Sequence, residues 1–179
     1  MHKTTTAKVL IMRVENYKIK NWEDSEHGLL VAESDEWILV KHIPVDYVVD
    51  GYRLYKKEFI EERLRTDQEK QIEKVLTLKD VNIEPPKGFN FADTIGLLDW
   101  VESAYGIFEF QDEDETELFY GKKNRITEDN LIIDMIKSDG SVEKDFDSEF
   151  DISKIRVITF ETDYHLSIQL LWKDKLKKK

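Results

Sequence analysis

The chain is predicted to be α+β, mainly β with a few helices, arranged as two small, strongly bent antiparallel β-barrel domains in tandem. Three observations predict this. Short runs rich in β-branched and aromatic residues recur between Gly, Asp and Asn breaks. The one strong break in the 179 residues is "NIEPPKGFN", Asn82 to Asn90. The segments on either side of it can be laid over one another.

Taken in order, "AKVLIMRV", "GLLVAES", "EWILVKHI" and "GYRLYKK" are the strands of the first half. Thr66 and Glu69 stand in capping-box spacing before Ile72, Val75 and Leu76 on one face, which predicts a helix from about Asp67. Residues 1–82 thus form a first barrel with a trailing helix, and residues 83–90 a linker. A second helix is expected from an Asn90 cap to a stop at Gly106, with Phe91, Ile95, Leu98, Val101 and Tyr105 at helical spacing. The strands "GIFEF", "ELFYGKKNRIT", "NLIIDMIK", "VEKDFDSEF", "KIRVITFE" and "HLSIQLLW" follow and complete a second domain over residues 91–172. Lys173, Lys175, Lys177, Lys178 and Lys179 belong to a solvated tail over residues 173–179.

Laying Gly28 on Gly121 sets Ile38, Val40 and Ile43 against Leu131, Ile133 and Ile136 without a gap. Both strands lead to an Asp-Gly turn, Asp50-Gly51 and Asp139-Gly140, as a tandem duplication would give. The order of a helix followed by bent strands, clearest over residues 90–172, resembles the Sm-like fold. "HGLLVAESDEWILVKHI" and "DGYRLYKKEFI" resemble it in the first half. That resemblance implies RNA-contacting loops carrying an Asp and an Asn, and an Arg-Gly pair. Here Asp129 and Asn130 are adjacent rather than separated, and Val157 replaces the glycine after Arg156, so the resemblance speaks for fold more than for RNA binding.

Composition narrows the function classes. Net charge is −11, and it is uneven: residues 1–88 hold 15 bases and 17 acids, residues 89–179 hold 12 and 21. That field repels phosphate backbones and anionic lipid, making nucleic acid an unfavoured partner. With no cysteine, disulfides, thiolate metal sites and thiol nucleophiles are excluded. No signal-like or membrane-spanning run is present, so a cytoplasmic protein with no membrane partner is expected. The glycines form no phosphate-binding cluster, and His2, His27, His42 and His165 are scattered. The acidic run Glu109 to Glu117 has Glu117 and Lys123 where a calcium loop from Asp112 needs Gly and Glu, and reads as a solvated hairpin loop. No catalytic residue, metal or cofactor is predicted, and the expected role is non-enzymatic.

Two surfaces are candidates for binding. In "SVEKDFDSEFDIS", strand alternation sets Glu143, Asp145, Asp147, Glu149 and Asp151 on one face and Val142, Phe146, Phe150 and Ile152 on the other. The acids would form a ridge for a basic protein partner, as in an immunity or inhibitor protein. The alternative is a nucleic-acid platform in the first domain, formed by Trp37, Tyr52, Arg53, Tyr55 and Lys57. Barrel edges could also pair two copies into a homodimer.

Overall fold

The computed structural model describes residues 11–143 and 149–178. Among these residues ten antiparallel strands form one sheet in the order β5-β1-β2-β3-β4-β10-β6-β7-β8-β9. In chain order these are β1 (Val14–Ile19), β2 (Glu26–Glu33), β3 (Trp37–Ile43), β4 (Tyr52–Lys56), β5 (Ile60–Leu64), β6 (Phe108–Gln111), β7 (Phe119–Thr127), β8 (Asn130–Met135), β9 (Glu149–Asp151) and β10 (Val157–Phe160). Three helices accompany the sheet: α1 (Asp67–Leu78), α2 (Thr94–Tyr105) and α3 (Asp163–Lys177). None of the described helices is long and apolar enough to cross a membrane.

The mainly β, α+β class holds, but the sheet is open rather than closed into two barrels. The reason lies at the seam: β4 pairs with β10 through Tyr55↔Val157, Leu54↔Ile158, Arg53↔Thr159 and Tyr52↔Phe160, which joins the two halves edge to edge. The main core is shared as well. Trp37, Leu39 and Leu54 from the first half pack with Leu98, Phe110 and Ile158 from the second. Burying these faces against one another removes more apolar surface from water than either half could alone.

Each half nonetheless repeats one strand order, with its fifth strand beside its first: β5-β1-β2-β3-β4, then β10-β6-β7-β8-β9. The repeat extends to single residues. In β2·β3 the pairs are Gly28↔His42, Leu30↔Val40 and Ala32↔Leu39; in β7·β8 they are Gly121↔Met135, Lys123↔Ile133 and Arg125↔Ile132. Every pair moves by the offset that carries Gly28 to Gly121. The register shift between Leu30 and Ala32 recurs between Lys123 and Arg125. A bulge bends its strand locally, so both hairpins turn at the same point.

The helices follow their local signals with two changes. α1 has the expected capping box, with Thr66 accepting from the Gln68 N–H and Glu69 from the Thr66 N–H at 2.6 Å. α2 ends at Gly106 in the left-handed conformation (φ 88°), but its cap is Asp93, which accepts from the Gly96 N–H at 2.7 Å, rather than Asn90. The segment "HLSIQLLW", expected as a strand, lies in α3. Thr162 caps it by accepting from the His165 N–H, and the buried His165, Ile168 and Gln169 recur at helical spacing. The helix also takes in most of the expected lysine tail. At the other end the first strand begins at Val14, so Ile11, Met12 and Arg13 of "AKVLIMRV" are not in it, and its Ala7–Leu10 portion lies outside the described residues. β5, "IEERL", pairs with β1 although its exposed, charged pattern carries little strand signal.

Candidate functional site

At the end of the sheet, the β6–β7 connection and β9 enclose an open groove of about 590 Å³ lined by Asp112, Glu117, Leu118, Phe119, Met135, Glu149 and Phe150. Its floor is aromatic. The Phe119 and Phe150 rings lie 4.6 Å apart, and Phe110 packs under both at 5.4 and 5.0 Å. Phe150 is buried because it alternates with Glu149 along β9. Acids form the rim. Asp112, Glu117 and Glu149 make no ion pair with any described residue.

The loop that carries the rim is held by its own side chains. The Thr116 N–H and hydroxyl donate to Asp114 at 2.8 and 2.7 Å, and the Gln111 amide donates to the Glu115 carbonyl at 2.8 Å. Glu115 accepts from the Glu23 and Asp24 N–H groups, and the Trp22 indole donates to the Asp112 carbonyl at 3.3 Å. The first half therefore braces a loop of the second. The expected solvated hairpin loop is present only over residues 112–118: Glu109, the first acid of the run, is buried in β6, and Asp114 and Glu115 are committed to these contacts.

The acidic ridge is placed unevenly. Glu149 is exposed and lines the groove. Glu143 pairs with Lys137 at 2.7 Å, and Asp151 accepts from the Ser153 N–H and hydroxyl at 2.9 and 2.6 Å. Asp145 and Asp147 lie outside the described residues, as does Phe146. Val142 was expected on the buried face but is exposed, because it bridges to Ile136 outside β9.

The aromatic platform is not a surface. Trp37 and Tyr55 are fully buried in two different cores, so neither offers a face to a base. Arg53 pairs with Glu26, and Lys57 with Glu33 at 3.0 Å. Tyr52 is partly covered, stacked on Phe160 at 5.4 Å with its hydroxyl on the Glu84 carbonyl. Arg156, one of the Sm-like positions, is buried beneath Phe59 and donates to the Lys20 carbonyl. Asn130 donates to Glu149 at 3.3 Å, and Asp129 lies at the β7–β8 turn.

A second group of polar residues crosses the seam. Register partners on five adjacent strands put Val40, Arg53, Thr159, Glu109 and Tyr120 in one row. Glu109 Oε2, Thr159 Oγ1, the Tyr120 hydroxyl and Arg53 Nε are buried without a hydrogen-bond partner among the described residues. Burial is the main force on Glu109 and lifts its pKa to about 7, opposed by Arg53 and by the nearby Tyr120 hydroxyl. Beside Arg53, whose ion-pair partner is Glu26, Glu26 and His42 line a cleft of about 380 Å³. Burial works to raise the Glu26 pKa, but Arg53 with its hydrogen bond, His42 and the Tyr55 hydroxyl at 2.7 Å outweigh it and hold the carboxyl below its usual range. Burial, then Arg53, lowers His42 to about 4, so its imidazole stays neutral.

His165 is also buried, and its roles are structural: Nδ1 accepts from the Glu161 N–H at 3.2 Å, and Nε2 faces the Ile107 carbonyl at 3.1 Å. Sequence reading missed the groove because its floor comes from three strands and its rim from two distant segments. The nearest signal was the acid run leading directly into Leu118-Phe119. Among the described residues no three His, Asp or Glu side chains gather as a metal site. No family model, curated protein or solved structure matches the chain.

Proposed function

We propose that this protein is a binding module rather than a catalyst, and that it seats a basic segment of a partner protein in the groove between the β6–β7 loop and β9. One observation carries the reading: Asp112, Glu117 and Glu149, without ion pairs among the described residues, ring an aromatic floor. Lysine and arginine suit such a site, since their aliphatic stems pack on apolar surface while the charged heads reach the rim. The net charge of −11 steers a basic partner toward it. An acidic module of this kind is suited to neutralising a basic effector protein. The matched registers of β2·β3 and β7·β8 support reading the scaffold as a tandem duplication of one Sm-like unit.

The test is fluorescence anisotropy with labelled peptides combining Lys or Arg with Leu, at low and high salt. Salt-sensitive binding that is lost in Glu117→Lys/Glu149→Lys is expected. Failure of every basic peptide to bind at low salt would overturn the proposal, because charge attraction is strongest there.

A further inference from the structure

The groove runs beside an end of the sheet, and that end has a defined hydrogen-bond phase. β9 pairs with β8 through Asn130↔Asp151, Leu131↔Phe150 and Ile132↔Glu149, and the Ile152 N–H donates to the Asp129 carbonyl at 3.0 Å. Bonded and non-bonded pairs alternate along an antiparallel ladder. Phe150 therefore spends both backbone groups on β8 and Ile152 its N–H, while the Glu149 N–H and C=O and the Asp151 N–H turn outward; the Ile152 carbonyl accepts from the Ile155 N–H, and the Asp151 carbonyl is committed to the turn Ile152–Lys154 that Asp151 caps. No described strand takes them up, since β9 is last in the sheet.

The other half shows what such an edge can do. β9 stands fifth in the order β10-β6-β7-β8-β9, as β4 does in β5-β1-β2-β3-β4. The outer edge of β4 takes a strand, β10, through four residue pairs. The corresponding edge in the second half is open among the described residues.

Charge selects the occupant. Among the described residues the other free edge of the sheet is β5, and pairing it with β9 of a second copy would bring Glu61 and Glu62 toward Glu149 and Asp151. Like charges opposed across a ladder are destabilising. A basic strand meets the opposite situation, with Glu149 beside it and Asp112 and Glu117 across the groove. Acidic edge residues thus discourage self-pairing while favouring a cationic guest. Alternate side chains of that guest point toward the groove, where an aliphatic stem can cover Leu118 and Phe119.

We infer that the partner's basic segment binds in extended form, adding to β9 as an eleventh strand through the N–H and C=O of Glu149 and the N–H of Asp151. This rests on the groove being the binding site. Main-chain hydrogen bonds would then provide affinity, and the groove specificity for alternating basic residues.

The probe is a synthetic peptide of alternating lysine and valine, compared with a version N-methylated at alternate residues so that one edge loses its donors but keeps the charge. With the full chain, the unmodified peptide is expected to bind at least about tenfold more tightly than the methylated one, whichever edge pairs, once both methylation phases are tried. Hydrogen exchange should slow at the Glu149 and Asp151 amides on binding. Equal binding of all versions without that protection overturns strand addition while leaving the charged groove standing. No binding by any version at low salt overturns both readings. A dimer by sedimentation that dissociates in Glu149→Lys assigns the edge to a second copy and overturns the choice of partner.

Discussion

Thr159 on β10 lies directly opposite Glu109 on β6, and each buries a polar oxygen that no described residue satisfies. Arg53, opposite Thr159 on β4, is the nearest compensating charge in the row, but it is already paired with Glu26. The two halves therefore meet across a polar seam in which one carboxyl is poorly solvated.

The first prediction concerns that carboxyl. Glu109 binds its proton up to about pH 7 when folded, against an ordinary value of 4.5. Between those values the native chain holds a proton that the unfolded chain has released, so stability falls as pH rises through this window. Glu109→Gln keeps the shape and removes the charge. It is expected to stabilise the protein at about pH 8 by on the order of 3 kcal/mol relative to its effect near pH 4. Urea unfolding midpoints at the two pH values measure this; an equal shift at both would show that Glu109 does not titrate between them.

His42 acts with the opposite sign. Burial and Arg53 hold it at about 4, below the ordinary 6.5, so below pH 6.5 the unfolded chain takes up a proton that the native chain refuses. Stability due to His42 rises with pH from about 4 to 6.5. Where the windows overlap, between 4.5 and 6.5, the two groups offset one another and their joint contribution is nearly flat. Removing one should uncover the other. His42→Asn is expected to lose stability with rising pH in that range, and Glu109→Gln to gain it. Parallel profiles for the two variants would refute the pairing of effects.

How much of this was legible follows from how local each signal is. The α1 capping box uses residues three apart, so Thr66 and Glu69 revealed it directly. Gly28 over Gly121 gave the correct register for two hairpins because the turn and bulge lie within short stretches. The joining of the halves was not legible, since β4·β10 brings together Arg53 and Thr159, far apart in sequence, and neither strand announces its neighbour. α3 was misread because "HLSIQLLW" alternates well enough for a strand over a few residues, and only the Thr162 cap with the spacing from His165 to Gln169 decides for a helix. The binding platform failed for a related reason. Period-two aromatics on a strand mark a buried face as readily as an exposed one, and Trp37 and Tyr55 are on buried faces.

The matched hairpins make a prediction about packing. A Cβ on Gly28 would meet Val40 Cγ2 and Cβ at 2.7 and 2.8 Å; one on Gly121 would meet the Asp134 carbonyl oxygen at 2.7 Å and Ile133 Cδ1 at 3.1 Å. Val40 is fully buried and β-branched, and the Asp134 contact is backbone, so neither neighbour yields easily. Gly28→Ala and Gly121→Ala should each cost about 1–3 kcal/mol, the range for overpacking. Gly88→Ala is the control. Its φ is +80° with no atom within 4 Å of the added Cβ, leaving a backbone cost of about 1 kcal/mol. Chemical denaturation ranks the three, and a Gly88 variant as damaging as the others would show that crowding is not what the hairpin glycines avoid.

The last prediction separates the charged rim of the groove from its apolar lining. Glu117 is exposed, makes no ion pair with a described residue and acts at a distance, so Glu117→Lys should slow association of a basic peptide and flatten its salt dependence. Leu118 is 40% exposed and lines the same groove, so truncating it removes contact area at little risk to the core. Leu118→Ala should leave the association rate and salt slope unchanged and speed dissociation, because short-range apolar contact forms after encounter. Stopped-flow mixing at several salt concentrations resolves the two rates. If both variants changed only association, the apolar lining at Leu118 would have no part in holding the ligand, and the site would reduce to its charge.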